Sequence, residues 1–314
     1  MIIGRVPLRI SIAGGGTDLP SFYSKFGSTF ISAAIDKYIY ITYHRSRFDK
    51  SIRLRYSKME EVSTTDKIQH EIIRETFKAN GVKSNVELTS HAEIPSGTGL
   101  GSSGSFGVGI LHAIKGENAM THELAEEATR IQMGVLGHPI GVQDQYVAAF
   151  GGVNVYEVST AGKVGVAPLN ADTSLLNDRL ALFFTGFKRN ANEVLVTQKE
   201  NAEAMEETLH NTQKLCYDIK DALERGNQRK FGELMNHHWE EKKKRSPIMT
   251  NRRIDDLYDL ALKNGAVGGK LVGAGGGGFL LFYTEDREKL IRAMPVQHVP
   301  FRFDFEGSKI LQHD

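Results

Sequence analysis

Residues 95–104, PSGTGLGSSG, place four glycines and three serines within ten positions. An alternating apolar run at 86–94 precedes them and a segment able to form a helix follows at 106–111, so the glycines join a strand to a helix. The first N–H groups of a helix lack backbone partners, the helix dipole is positive there, and glycine lets the backbone approach an anion. This stretch indicates a phosphate site, to which Ser102 and Ser103 add hydroxyls. A glycine-rich turn with a serine cap is the structural alternative.

Two better-known phosphate motifs fail on this stretch. The outer glycines have the spacing of a Walker loop, but Ser105 and Phe106 stand where that loop needs Lys and then Ser or Thr. The glycines also satisfy the dinucleotide fingerprint, which requires a second strand after the helix. Residues 116–121, GENAMT, contain no strand pattern, and another helix follows. A nicotinamide-dependent oxidoreductase is therefore disfavoured.

Two acidic residues lie in glycine-flanked turns. Asp18 ends the segment GGGTD, where it and Thr17 offer a carboxylate and a hydroxyl suited to sugar hydroxyls. Asp144 follows Gly141 in GVQDQY, and a carboxylate beside a phosphate loop can orient and deprotonate an attacking hydroxyl. Each has a local alternative, an Asx-capped turn at Asp18 and a helix cap at Asp144.

Regular elements must bring these turns together. Periodicity predicts strands at 2–13, 29–43, 52–57 and 86–94 and in three runs between 150 and 185, with helices at 66–80 and 122–136 and almost throughout 191–264. Asp66 is the expected cap of the first helix. A third glycine segment, 269–278 with the sequence GKLVGAGGGG, leads into a strand rather than a helix, and we expect it to pack closely against other backbone.

Composition excludes several classes of protein. Lys and Arg number 39 against 38 Asp and Glu, so no overall field favours nucleic acid or an anionic membrane. The single cysteine, Cys216, allows no internal disulfide. Apolar runs are too short for a bilayer span, and no signal-peptide pattern opens the sequence. A cytoplasmic protein with neither nucleic acid nor membrane as partner is expected.

Taken in order, PLRISIAGGGTD, PSGTGLGSSG and GKLVGAGGGG resemble the three motifs of the GHMP kinases, which phosphorylate small molecules such as galactose, homoserine and mevalonate. The motifs span nearly the whole chain. The resemblance implies an α+β, two-domain fold in which the domains meet at a cleft. An N-terminal mixed α/β domain (1–170) would carry the phosphate loop and the catalytic aspartate, and a ferredoxin-like α+β domain (171–314) would follow. It also implies ATP and Mg²⁺.

The resemblance assigns roles residue by residue. Arg9 would lie near the transferred phosphate, although an exposed strand residue is the alternative reading, and Asp144 would be the catalytic base. The ATP-binding residues would be Pro95, Gly97, Gly99, Leu100, Gly101, Ser102, Ser103 and Gly104. The acceptor would contact Gly15, Gly16, Thr17, Asp18, Arg189, Gly275 and Gly276.

The implied metal ligands are Ser103 and Gln132. Most relatives have a glutamate where Gln132 stands. A glutamine offers a carbonyl oxygen without a negative charge, so a weaker or water-mediated hold on Mg²⁺ is expected. Gln132 as an ordinary helix-face residue is the alternative.

Within the superfamily, the TGF turn with Arg189, HHWEEKKK and GGKLVGAGGGGFLLFY are most similar to D-glycero-D-manno-heptose 7-phosphate kinases. This implies phosphorylation of the anomeric hydroxyl to give the 1,7-bisphosphate, with ATP and a sugar phosphate as small-molecule partners. L-fucose or other hexose 1-kinases share much of the pattern, and a non-catalytic nucleotide or sugar sensor is a third possibility. The basic run 242–245 is either favoured by a helix C-terminus or, with Lys188 and Arg189, grips a phosphate on the acceptor. A homodimer is an expectation that the residues themselves do not decide.

Overall fold

The computed structural model describes residues 1–188 and 202–313. Within these residues, one sheet has eight strands: β1 (Ile2–Ala13), β2 (Ser28–Arg45), β3 (Ile52–Arg55), β4 (Met59–Val62), β5 (Val86–Ala92), β6 (Val153–Val158), β7 (Val164–Pro168) and β11 (Lys309–His313). The main strand order is β11-β1-β2-β5-β3-β4, with β6 and β7 added beside β2. All pairs are antiparallel except β3 with β5.

The long strand β2 organises this sheet. It pairs with β1 along most of its length, with β6 through its first half and with β5 through its second half. Beside it, β1 is buried from Val6 to Ala13 because helices cover both of its faces. The register of β1 against β2 shifts between Pro7 and Leu8, one residue before Arg9. Arg9 lies within the buried part of the strand.

The first half of the chain also supplies helices α1 (Pro20–Phe26), α2 (Glu71–Ala79), α3 (Ser102–Lys115), α4 (Thr121–Thr129), α5 (Gln143–Phe150) and α6 (Thr173–Arg179). Apolar residues of α3, α4 and α5 pack on one face of the large sheet, around Val6, Phe30 and Tyr156. The helix predicted at 122–136 is present, but it changes at Arg130 into a π-helix that ends at Val135.

The predicted start of the helix at 66–80 is wrong. Asp66 lies in a single 3₁₀ turn, Thr65–Lys67, and the chain is extended again at Ile68 before α2 begins at Glu71. The Thr65 hydroxyl donates to the carbonyl of Val82, which holds the short turn against the far end of α2. This contact between residues 17 positions apart competes with continuation of the helix through Ile68.

The second half of the described chain forms a smaller antiparallel sheet in the order β8-β10-β9. Its elements are β8 (Leu180–Phe184), α7 (Ala202–Glu224), α8 (Gln228–Lys243), α9 (Arg252–Lys263), β9 (Ala266–Leu271), β10 (Phe279–Thr284) and α10 (Arg287–Ala293). The core between sheet and helices includes Phe183, Trp239, Tyr258 and Phe282. Separate regions of antiparallel sheet and helix confirm the α+β class.

The final strand crosses back to the first sheet. β11 pairs with β1, although the residues before it belong to the smaller sheet and its helices. The domain boundary between residues 170 and 171 stays a prediction. None of the described helices has the length and apolar character needed to cross a membrane.

Candidate active site

A cavity of about 800 Å³ lies where the two sheets and their loops meet. It is lined by β1, by the turn at 15–19, by the loop that leads into α3, by the start of α5, by the end of α8 and by the third glycine segment. The three glycine segments, far apart in the sequence, thus converge on one space.

The loop 95–101 ends in the helix α3, whose first residue is Ser102. Gly97, Gly99 and Gly101 all have φ between +78° and +85°, a conformation that favours glycine. The backbone N–H of Arg9 donates to the carbonyl of Leu100 at 3.0 Å, which fastens the loop to β1. The N-terminus of α3 has no acidic residue in its first turn, so its partial positive charge is available to an anion in the cavity.

The third glycine segment packs directly on this loop. A Cβ on Gly273 would lie 2.5 Å from the Cα of Gly99, and one on Gly278 would lie 2.0 Å from the carbonyl oxygen of Thr98. Side chains at these positions would separate two stretches of backbone. The glycines of this segment therefore allow the phosphate loop to pack directly against its backbone.

Arg9 and Asp144 form the central polar pair of the cavity. The Arg9 Nε donates to Oδ1 of Asp144 at 2.8 Å, and its Nη2 lies 2.5 Å from the same oxygen. The Nη1 donates to the carbonyl of Gly99 at 2.6 Å. Arg9 is only 6% exposed, so it is not the exposed strand residue that its alternating neighbours allow. One arginine thus connects the phosphate loop to the carboxylate.

The position of Asp144 is set by close helix packing. It lies in the first turn of α5, and a Cβ on Gly104 in the first turn of α3 would be 2.5 Å from its Cβ. The two helix starts therefore touch. The Asp144 side chain is 30% exposed and borders the cavity, where it can accept a proton from a bound hydroxyl.

Asp18 is held in the cavity wall by backbone donors. The N–H of Gly16 donates to its Oδ1 at 2.9 Å and that of Gln143 to its Oδ2 at 3.3 Å. Burial raises the pKa of Asp18, and these two hydrogen bonds oppose the rise. A Cβ on Gly141 would lie 1.8 Å from Oδ2, so the carboxylate occupies the space that a side chain there would fill.

Four further polar side chains reach the turn at 12–16 or the third glycine segment from the opposite side: His238, Lys242, Arg245 and Lys270. His238 Nε2 accepts the N–H of Gly14 at 3.2 Å, and Lys270 Nζ donates to the carbonyl of Ile12 at 3.2 Å. Neither Lys270 nor His238 is predicted from the sequence as a site residue. The available signal is a lysine within the apolar strand β9, which is otherwise composed of Ala, Val, Gly and Leu.

An aromatic group borders another part of the cavity. The rings of Tyr56 and His70 meet edge to face at 4.7 Å, and those of His70 and Phe106 lie 5.1 Å apart. Burial lowers the pKa of His70, which favours a neutral imidazole at neutral pH. With Ile72 nearby, this part is suited to a flat, uncharged ring.

Comparison with known proteins identifies the family. Residues 67–152 match the GHMP kinases N terminal domain, and residues 219–299 match the GHMP kinases C terminal domain. The chain is 31% identical to the D-glycero-alpha-D-manno-heptose 7-phosphate kinase of Campylobacter jejuni over 97% of both proteins. The chain belongs to the GHMP kinases. It is therefore a phosphotransferase, as the sequence analysis predicts.

Two further comparisons bear on this GHMP kinase. A crystal structure of a D-glycero-D-manno-heptose 1-phosphate kinase from Bacteriodes thetaiotaomicron has a TM-score of 0.82 and 25% identity and covers all of both chains. The L-fucokinase/L-fucose-1-P guanylyltransferase of Bacteroides fragilis is 26% identical over 93% of this chain and 35% of that protein. These relatives are sugar kinases, and ATP is the phosphoryl donor in this family.

The pair predicted to hold magnesium is arranged differently from a metal site. Gln132 is fully buried, and its Oε1 accepts from the Ser103 hydroxyl at 3.3 Å and from Gln145 Nε2 at 3.2 Å. Its Nε2 donates back to the carbonyl of Ser103. Among the described residues no group of three or more His, Cys, Asp or Glu side chains could hold a metal. The Gln132 oxygen is engaged within the protein and carries no negative charge, and the metal assignment stays a prediction.

The predicted site residues fall into two groups. Those that border the cavity are Arg9, Gly15, Gly16, Asp18, Pro95, Gly97, Gly99, Gly101, Ser102, Ser103 and Asp144. Thr17, Leu100, Gly104, Gln132, Gly275 and Gly276 are not among its lining residues. Gly276, for example, donates its N–H to the carbonyl of Met249, while Thr17 bonds to Gly14 and Ser28. Arg189 lies outside the described residues.

Proposed function

We propose that this kinase transfers the γ-phosphoryl group of ATP to the anomeric hydroxyl of D-glycero-D-manno-heptose 7-phosphate and so forms the 1,7-bisphosphate. The observation that carries the proposal is the Arg9–Asp144 pair at the phosphate loop, because it places a candidate base beside a candidate anion site. The likeness to the Campylobacter jejuni enzyme over nearly the full length of both chains supports the choice of sugar.

The ATP phosphates would lie on the N–H groups at the start of α3, with the base in the aromatic part of the cavity. Phosphoryl transfer passes through a loose transition state, so positioning and charge stabilisation contribute more than proton removal. Arg9 is placed to face the developing charge on the transferred group. Asp144 would orient the anomeric hydroxyl and accept its proton, while Asp18 would accept hydrogen bonds from other sugar hydroxyls.

A coupled assay of ADP release tests the proposal. Purified enzyme would be supplied with ATP, MgCl₂ and one acceptor at a time from a panel of heptose 7-phosphate, free heptose, mannose, galactose and L-fucose. We expect the largest kcat/KM for heptose 7-phosphate and loss of reducing-end reactivity in its product. Turnover confined to another sugar, or a product that keeps a free anomeric hydroxyl, would contradict the proposed substrate or position.

The alternative within the same reaction class is an L-fucose or other hexose 1-kinase. Its support is the match to the Bacteroides fragilis L-fucokinase over 93% of this chain. The same assay distinguishes the two functions, because a fucose or hexose 1-kinase would release ADP with a sugar that carries no phosphate. A sensor without catalysis, suggested by the internal hydrogen bonds of Gln132, would bind ATP and release no ADP with any acceptor.

A further inference from the structure

Two buried cations border the cavity without a carboxylate in contact. Lys270 is 1% exposed and Arg245 is 3% exposed, and within the described chain neither forms an ion pair. Their hydrogen bonds go instead to the carbonyls of Ile12 and Gly15 and to the hydroxyl of Thr212. Buried charges in proteins are ordinarily paired or bound to a ligand. A bound anion would therefore stabilise the charged form of both side chains.

Further polar groups that lack a hydrogen-bond partner in the described chain border the cavity near the turn at 12–16. Within the described residues, Arg245 Nε, His238 Nδ1, Gln143 Nε2 and Ser11 Oγ are buried and have no hydrogen-bond partner. His238 accepts the Gly14 N–H through Nε2, and burial lowers its pKa well below the usual value, so the neutral ring carries its proton on Nδ1. All four side chains border the cavity.

Glycine geometry brings these donors to one place. A Cβ on Gly15 would lie 2.9 Å from the Ser11 hydroxyl and 3.9 Å from Gln143 Nε2. The carbonyl of the same Gly15 accepts from Arg245 Nη1 at 2.8 Å. Donors from β1, from the start of α5 and from the end of α8 therefore surround a single residue of the first glycine turn.

Charge supports an anion at this position. Burial, followed by the charge of Arg245, lowers the pKa of Lys270 to about 7, and burial lowers the pKa of Arg245 to about 10. A phosphate monoester carries close to two negative charges at pH 7 and accepts several hydrogen bonds. A bound phosphate monoester would offset the cost of burying the charges of Lys270 and Arg245. Among the carboxylates, Asp18 has the largest effect on the pKa of Arg245, but it already accepts two backbone N–H groups.

This group is distinct from the candidate ATP phosphate site. That site consists of the loop 95–103 and Arg9, whereas Lys270 and Arg245 are fastened to residues 12–16, the turn assigned to the acceptor. We propose that Lys270 and Arg245, with donors from His238, Gln143 and Ser11, bind a phosphate group that the acceptor already carries. The inference rests on the proposed kinase function. It makes the substrate class a sugar phosphate, because a free sugar would leave two buried cations unneutralised.

Calorimetric titration of the whole protein tests this site apart from turnover. A non-hydrolysable ATP analogue at saturation would first occupy the phosphate loop, and heptose 7-phosphate or free heptose would then be added. We expect the phosphorylated sugar to bind about 10²-fold more tightly than the free sugar, and Lys270→Met and Arg245→Met each to remove about 10-fold or more of that preference. Free-sugar affinity should change by less than about 2-fold.

Lys244→Met is the matched control. Lys244 precedes Arg245, but its side chain is 61% exposed and pairs with Glu241, so it should keep the preference of the unchanged protein. Binding of the ATP analogue reports whether each variant is folded, and a Lys270→Arg variant should recover part of the preference. Equal affinity for the two sugars in the unchanged protein, or an undiminished preference in both variants, would overturn the inference. Turnover of free sugars alone would do so while leaving the kinase function intact.

Discussion

Replacing Lys270 by methionine should stabilise the folded protein, although it removes a proposed binding residue. Lys270 lies within β9, and its ammonium donates to the carbonyl of Ile12. Burial lowers its pKa to about 7, with Arg245 and Arg9 adding to the effect and Cys216 opposing it. Methionine has a similar length without the charge, so the variant avoids the cost of a buried ammonium.

The lowered pKa of Lys270 determines how much the substitution stabilises the folded protein and how this stabilisation depends on pH. Between about pH 7 and pH 10.5 the unfolded chain keeps a proton that the folded chain has lost, so this lysine makes stability rise with pH. The free-energy cost of burying this charge is fully present below the pKa of Lys270 in the folded protein, about 7, and disappears above its pKa in the unfolded chain, about 10.5. At 1.36 kcal/mol per pKa unit, this cost is about 5 kcal/mol at pH 6.5 and about 2 kcal/mol at pH 9. Because the methionine variant also loses the hydrogen bond to Ile12, its stabilisation is about 1 kcal/mol smaller than this cost at both pH values.

Urea unfolding of the wild type and of Lys270→Met at these two pH values measures the difference. We expect the variant to gain about 2 to 3 kcal/mol more at the lower pH than at the higher, because the other groups titrate alike in both proteins. Lys83→Met, at an exposed lysine, is the control and should show no such difference. A gain that is the same at both pH values, or a destabilised variant at pH 6.5, would refute the buried-cation reasoning.

The remaining predictions concern catalysis and the glycines. Asp144→Asn should lower kcat by about 10²–10⁴-fold in the ADP assay while binding of the ATP analogue persists, and near-normal turnover would exclude it as the base. Gly141→Ala should raise the KM for the acceptor by about 10-fold or more, because the new methyl displaces Asp18; Gly134→Ala, whose new methyl would meet its nearest neighbour, Arg130 Cγ, at 3.9 Å, should leave the KM unchanged, and equal KM values would count against the steric argument. Gly273→Ala should raise the KM for ATP by pushing the phosphate loop upward, and an unaltered value would show that the loop tolerates the methyl.

Much of the fold can be predicted from local patterns, since alternating runs formed strands and the glycine segments formed the expected turns. What local patterns do not contain is the packing between distant parts. Arg9 is buried because helices cover both faces of β1, whereas alternation alone also allows an exposed arginine. The start of the first predicted helix at Asp66 is wrong for the same reason, since the Thr65 hydroxyl bonds to a residue 17 positions away.

The basic run 242–245 shows that helical spacing improves the interpretation of a charged segment. Lys242 lies in the last turn of α8 and Arg245 in the turn that follows, where its N–H donates to the carbonyl of Lys242, and both side chains are buried. Lys243 and Lys244 turn away and pair with Glu240 and Glu241. Read only as a charge run, the segment suggests a solvated helix end. Read with its period, it divides into two surface lysines and two residues directed at the cavity.

The two anion sites differ in how they are built, and this explains which of them a motif can reveal. The phosphate loop uses backbone N–H groups, which impose glycine at fixed spacings and leave a readable pattern in one short segment. The proposed acceptor site uses side chains from β1, the start of α5, the end of α8 and β9, which approach one glycine turn only after folding. Arg245 and His238 lie outside the three motifs, and Lys270 and Ser11 lie within them at positions other than the glycines, so the glycine pattern does not reveal this site. The same glycine pattern can therefore serve kinases with different acceptors, and Lys270 and Arg245 rather than the glycines are where this chain's choice of acceptor should be tested.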